Sequence, residues 1–351
     1  MKLSAFKKRR TRIDWLKAFG IAFFLVLIVR SCVIEPFTIP SPSMEKTLLT
    51  GDFILVNKLA YGPRITMTPL STPFVEKKWY LDLWQFPYYR LFGKPDIKRN
   101  DVMVFNYPME DEFPVDHRTY FIKRCVGLPG DSIKVKETKV YINTVLQNHS
   151  ENTQHNYTIK TDGTKIDSLF LDKNNITEGG LISDKGDYSF SLTDINYSKI
   201  KGLKNVVSIK KNIEKNELWD ETIFPYSTDY PWNIDNFGAL YIPKKGDTLK
   251  LDTTTIVLYR RLISVYENNK LEYKNNKIII NGKITNHYIT KMNYYFVMGD
   301  NRHNSMDSRY WGFLPEDHIV GKAWIVFYSY NKTKQKSRWD RGFKKINGAP
   351  K

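Results

Sequence analysis

The chain has 351 residues, enough for one large core or two modest ones, and its 54 Lys and Arg against 37 Asp and Glu give a formal net charge of +17. Much of that excess sits at the two ends, in Lys7, Lys8, Arg9, Arg10 and Arg12 and again in Lys332, Lys334, Lys336, Arg338, Arg341, Lys344 and Lys345; anionic phospholipid explains both as well as nucleic acid does, and no nucleic-acid partner is expected. The two cysteines, Cys32 and Cys125, fall in unlike stretches and the six histidines are scattered singly, so neither a disulfide nor a metal site is expected, and no cofactor.

Residues 16–34 are apolar except for Lys17, Gly20, Arg30 and Ser31. As a helix they would span roughly 28 Å, close to the ~30 Å hydrocarbon core of a bilayer. Arg30 lies near one end, where its stem can reach the headgroups. The basic stretch 1–15 places the N-terminus in the cytoplasm and everything after Ile34 outside. A cleaved signal peptide is the alternative, but no small-x-small site follows Val29, and a retained anchor is favoured.

Next comes Ile39-Pro40-Ser41-Pro42-Ser43-Met44. The prolines predict a stiff extended loop carrying two serines at the rim of the membrane. A serine nucleophile needs a base and donors for an oxyanion, both from elsewhere in the chain, and a plain turn or linker would look the same. Residues 51–58 read as a turn and a strand. The stretch 61–94, with Trp79, Trp84, Phe86, Tyr88, Tyr89 and Phe92 among basic residues, has the composition of a membrane interface or of a loop packed down by its aromatics.

Strands are expected at 101–105 and 120–126, the second running into a tight turn at 127–131. Period-two alternation places Phe121, Lys123 and Cys125 on one face and Ile122, Arg124 and Val126 on the other. A lysine among apolar residues on such a strand needs a partner or a purpose, unless it reaches solvent at an edge. Residues 148–216 are rich in Asn, Lys, Thr and Ser and read as an inserted, solvated subdomain. An internal echo brackets them: residues 130–135 resemble 246–251, and 139–143 resemble 277–281, which predicts two similar hairpins. A strand at 294–298 ends in the dense polar loop 299–312, where Asp300, Arg302, His303, Ser305, Asp307 and Arg309 crowd together. A closing strand at 323–328 precedes the basic tail.

Taken together, residues 40–48, 51–58, 99–105 with 120–131, and 299–312 resemble, in order, the motifs of bacterial type I signal peptidases, membrane-bound serine proteases with a Ser-Lys dyad. The resemblance implies that Ser43 is the nucleophile, Lys123 the general base, Ser41 an oxyanion donor beside the Ser43 amide, and Ser305 a support for the lysine amine. It makes Asp300 with Arg124, and Asp307 with Arg309, supporting ion pairs. It also assigns Phe37, Ile39, Met44, Leu48, Phe121 and Ile122 to small S1 and S3 pockets. Four positions depart from the commonest pattern: Pro42 and Asn100 stand for glycines, Lys46 for a proline and His303 for an aspartate.

The fold so implied is mainly β, an antiparallel barrel-like catalytic core with a β-rich insert and one N-terminal transmembrane helix. Its divisions are a basic N-terminus (1–15), an anchor (16–34), a core in two parts (35–147 and 235–330), an insert (148–234) and a basic tail (331–351). The partners implied are exported preproteins, membrane phospholipid and the secretion translocon, at the outer face of the cytoplasmic membrane. A Ser-Lys autoprotease and an inactive tethered binding module are the alternatives; the first should carry a helix-turn-helix, and the second has no use for Ser43, Lys123 and Ser305 together. Within the protease reading, His303 is a rival base to Lys123.

Overall fold

The computed structural model describes residues 12–69, 80, 84–91, 96–275 and 277–346. Its frame is an antiparallel sheet in the order Ile34–Thr38, Asp52–Asn57, Ile319–Asn331, Val102–Asn106, Tyr120–Gly127, Tyr294–Met298 and Leu314–Pro315. The central strands are buried on both faces, and the period of two sorts their side chains between separate cores. Val102 and Val104 join Ile39, Met44, Leu48, Ile54 and Val56 on one side. Met103 and Phe105 join Cys125, Val297, Trp311 and Leu314 on the other. Strand Tyr120–Gly127 divides as its alternation predicts, Ile122 to the first core and Phe121 with Cys125 to the second.

The apolar helix runs Arg12–Cys32, 21 residues that would reach about 32 Å. It ends before the expected limit at 34, because Ile34 already pairs with Asn57 in the sheet. From Ile13 to Cys32 none of its side chains is buried, and its length and composition fit a membrane span. Glu35, buried just beyond it, takes Arg30 at 3.5 Å and Lys58 at 2.8 Å, so the helix exit is tied to the first hairpin. In the aromatic stretch Trp84, Phe86 and Tyr89 are exposed. Trp79, Phe92 and the basic residues at 7–10 lie outside the described residues.

The region after residue 148 folds around its own core. Strands Val206–Lys211, His155–Thr161, Asp187–Leu192 and Gly179–Leu181 form a sheet, and Tyr157, Ile159, Tyr188, Phe190, Leu192 and Ile200 fill one face of it. Two short helices that the polar composition hides, Ser168–Lys173 and Asp194–Lys201, are capped by the side chains of Asp167 and Thr193.

The internal echo is real but shifted. Hairpin 139–146 recurs as 277–284, and both turns place two residues at positive φ, Asn143 (50°) and Thr144 (70°) in one, Asn281 (50°) and Gly282 (80°) in the other. Asn143 Oδ1 accepts from the Ser132 amide at 2.8 Å as Asn281 Oδ1 accepts from Lys270 at 2.9 Å. The counterpart of Ser132–Lys136 is therefore Leu271–Lys274, not the 246–251 stretch, whose strand Thr248–Lys250 pairs with His287–Ile289.

The basic C-terminal stretch is built into the frame. Strands Lys336–Ser337 and Lys344–Lys345 pair with Ile319–Asn331, and Arg341 grips the fully buried Asp52 through Nε at 3.0 Å and Nη2 at 2.5 Å. Breaking such a pair strands a charge in the interior. Arg341→Ala should lower the unfolding free energy by about 3 kcal/mol in urea titrations of the detergent-solubilised chain; a free lipid-binding tail would leave it unchanged.

Candidate active site

Ser43 is presented by a single 3-10 turn, Pro42–Met44. Ser41 before it is extended (φ −131°, ψ 157°), the conformation a following proline favours, and Pro42 occupies the first turn, where its fixed φ suits a helix and its missing N–H is not needed. Proline in place of glycine between the two serines thus fits the local backbone. The turn is pinned from the far end of the chain: the Asn301 amide donates to Ser43 O at 3.1 Å, and its side chain to Pro42 O at 3.3 Å.

Lys123 reaches Ser43 from the neighbouring strand, its Nζ 2.8 Å from Ser43 Oγ. Nζ also donates to Ile122 O at 3.0 Å, and the side chain is 4% exposed. Burial pushes its pKa down to about 8, against the opposing pull of Asp307 and Asp300. Those two carboxylates are themselves occupied. Arg124 holds Asp300 through Nε at 2.7 Å and Nη2 at 2.6 Å, with Thr47 Oγ1 donating to the same carboxylate at 2.5 Å. Arg309 holds Asp307 through Nε at 2.9 Å and Nη2 at 2.8 Å. Such bidentate pairs neutralise charge that would otherwise favour the ammonium.

Ser41 Oγ lies 3.4 Å from Ser43 Oγ and is exposed. Ser305 Oγ is buried without a hydrogen-bond partner, so the expected contact with the lysine amine is not made. Ser305 nonetheless lies against the site: a side chain at Gly299 would run into Ser305 and into Ser43 O, which is why residue 299 is glycine. His303 has both ring nitrogens engaged elsewhere. The Asn156 amide donates to Nδ1 at 3.1 Å, which leaves the proton on Nε2, 3.0 Å from Asp235.

Of the residues expected to line substrate pockets, Ile39, Met44 and Leu48 are buried in one core, with Phe37 and Ile122 half-buried against it. Phe121 lies in the other core, stacked on Tyr107 at 4.4 Å and edge-on to Trp311 at 5.8 Å, and its ring is 5.4 Å from Lys123 Nζ. Its place is beside the lysine, away from the other five.

Sequence reasoning missed a set of contacts from the insert, made by the loop between helix Ser168–Lys173 and strand Gly179–Leu181. Glu178 Oε2 accepts from Asn301 Nδ2 at 2.5 Å and Asn304 Nδ2 at 3.1 Å; Thr177 Oγ1 donates to Glu45 at 2.9 Å; and Lys46 Nζ donates to Asn175 O. Lys46 has φ 72°, which no proline adopts, so the change from proline goes with this docking. Asn100, also at φ 72°, stands for a glycine because asparagine tolerates the left-handed region.

A family model described as "Signal peptidase, peptidase S26" matches residues 12–191 and 265–328. The chain is 30% identical over 339 residues to signal peptidase I of Buchnera aphidicola subsp. Schizaphis graminum (92% of this chain, 76% of that one). It is 27% identical over 341 residues to signal peptidase I of Pseudomonas aeruginosa (93% and 76%). Among solved structures, a signal peptidase I from Enterococcus faecalis aligns with 65% of this chain and 96% of its own, at 16% identity and a TM-score of 0.25. The chain belongs to the signal peptidase family, peptidase S26, and is a serine-protease hydrolase. The matched residues include the serine turn, the lysine strand and the loop 299–312.

Glu178 touches neither Ser43 nor Lys123 and reaches the serine turn through Asn301. Glu178→Ala should lower kcat on the order of tenfold with a smaller change in KM, since a charge-assisted hydrogen bond contributes roughly 1.5–3 kcal/mol. Glu178→Gln, which keeps one acceptor, should restore most of the rate; equal losses in both variants would show the carboxylate to be structural only.

Proposed function

We propose that this chain is a membrane-anchored endopeptidase that removes N-terminal signal peptides from exported preproteins, with Ser43 as nucleophile and Lys123 as general base. The observation that carries the reading is the 2.8 Å approach of a buried, partly neutral amine to a serine hydroxyl. The neutral amine takes the Ser43 proton as Oγ attacks the scissile carbonyl. The Ser43 amide and the Ser41 hydroxyl stabilise the oxyanion. The resulting ammonium returns its proton to the leaving amine, and the amine then activates the water that hydrolyses the acyl-enzyme. Asp300 with Arg124, and Asp307 with Arg309, hold the polar loop, and Ser305 packs beside it.

The pocket floor of Ile39, Met44 and Leu48, walled by Phe37 and Ile122, suits Ala, Gly or Ser at the cleaved position. The basic N-terminus puts the catalytic domain on the outer side of the cytoplasmic membrane, facing phospholipid and preproteins arriving from the translocon. The family match and the tethering of Arg30 and Lys58 by Glu35 support this arrangement. Of the proposed divisions at 35–147, 148–234 and 235–330, the insert's own core at 157–209 supports a separate unit there, whereas Ile223, Phe224 and Trp232 pack with Val126, Ile133 and Phe237 of the flanking parts.

The base is tested with purified protein and a preprotein. Lys123→Arg should fold yet lose nearly all cleavage, because arginine cannot release its proton near neutral pH. His303→Asn should keep a working dyad. Only the neutral amine is competent, so the wild-type rate should rise with pH through about 8. At pH 6 it should be about a hundredfold below the plateau. A limb near 6.5 that vanishes in His303→Asn would move the base to the histidine.

A further inference from the structure

A cavity of about 490 Å³ lies between strand Tyr120–Gly127, the hairpin after it and the inserted sheet, with Arg302 of the loop 299–312 in its wall. Its walls carry an unbalanced charge. Arg99 and Arg124 are paired, with Asp131 at 3.0 Å and Asp300 at 2.6 Å, and the one wall carboxylate, Asp194, is taken by His149 at 2.8 Å. Among the described residues Arg302, Lys211 and Lys139 have no carboxylate within ion-pair distance, though Asp300 and Asp307 act on Arg302, and Asp194 and Asp235 on Lys211, from further off. Arg302 is 6% exposed; its Nε has no partner, and Nη1 meets only Met298 Sδ at 3.9 Å. His155, 5% exposed, has Nδ1 unpartnered on the same wall, and Lys211 Nζ makes a long 3.4 Å contact with Thr138 Oγ1 and lies 5.6 Å from the centre of the Tyr157 ring. Unpaired cations and orphaned buried donors are costly unless an acceptor completes them.

The geometry points to an anion site: the cavity binds a phosphate-class oxyanion, with Arg302, Lys211 and His155 as its donors. Three donor side chains on three separate elements match an acceptor with three or more oxygens better than a two-oxygen carboxylate. The volume lies within the range of small-molecule sites, roughly 300–1,000 Å³, which admits a phosphate ester as well as free phosphate. The bound anion would tie the loop 299–312 to the inserted sheet where Gln154 N donates to Asp300 O at 2.8 Å and Arg302 N to Gln154 O at 3.0 Å. A site whose unpaired cations repel one another would thereby become a clamp.

The full chain in neutral detergent should show a saturable rise in Tm with inorganic phosphate or glycerol phosphate beyond that in potassium chloride of equal ionic strength. Lys211→Gln and Arg302→Gln should each weaken the apparent affinity by about tenfold or more. Mixed micelles with phosphatidylglycerol, compared with phosphatidylcholine, separate the sources. A response to glycerol phosphate assigns a soluble ester; a response to phosphatidylglycerol alone, weakened in Lys211→Gln, assigns a lipid headgroup. Equal behaviour in phosphate, phosphatidylglycerol and the chloride control, or a response that both variants leave intact, overturns the proposal.

Discussion

The structure depends on keeping an amine buried, uncompensated and within hydrogen-bond reach of a hydroxyl. Lowering the Lys123 pKa from 10.5 to about 8 corresponds to about 3 kcal/mol of destabilisation of the charged form. The sign follows from proton counts. Between the folded and unfolded pKa values the unfolded chain binds the extra proton, so this contribution disfavours the folded state at neutral pH and fades as pH rises through that window. The loss must be met elsewhere in the same sheet. The two neighbouring acids could relieve it by pairing with the lysine, and that would hold it as the ammonium, unable to serve as the proposed base. They are instead saturated by arginines, Asp300 by Arg124 on the lysine's own strand and Asp307 by Arg309 two residues along. The ion pairs are thus a means of denying Lys123 a counter-ion while keeping the acids buried.

The inserted sheet takes part in that arrangement. The loop leading into its edge strand reaches the serine turn through Lys46 and Glu45, and the loop 299–312 through Asn301 and Asn304. Two of the four departures from the family pattern, Lys46 and His303, contact this region or its boundary at Asp235. Each replaces a residue that could not make the contact seen: proline has no amine to offer Asn175 and cannot take φ 72°, and aspartate facing Asp235 would set like charges together. The departures therefore read as adaptations of the catalytic loops to a particular insert.

What the sequence revealed follows the range of the interactions concerned. Alternation along 120–126 assigned Lys123, Phe121 and Cys125 to one face because side-chain direction in a strand is a local property. The dense loop at 299–312 announced fixed partners because unpaired charges at such density would repel. The pairing of Glu178 with Asn301 spans 123 residues of chain and leaves no local trace. The same is true of Arg341 with Asp52, which composition disguised as part of a lipid-binding tail. The echo misled in one half because 246–251 shares the Gly-Asp turn signature with 130–135, whereas the repeated hairpin is defined by an asparagine whose side chain bonds the amide eleven residues before it.

The apolar helix and the proposed nucleophile are also one mechanical unit. Only strand Ile34–Thr38 and a short loop separate the helix end at Cys32 from the serine turn, and Ile39 N and O bond Asp52 O and Gly51 N at 2.8 and 2.9 Å. Five extended residues span roughly 17 Å. With Glu35 bonded to both Arg30 and Lys58, the strand leaves the helix at a fixed angle and not as a free tether. A substrate whose own apolar segment lies in the same bilayer would present its cleavage point at a set height above the lipid. The rigid exit keeps Ser43 at one height as well, so encounter becomes a search in two dimensions with one coordinate already fixed, and the entropy of orientation is met by the fold before substrate arrives.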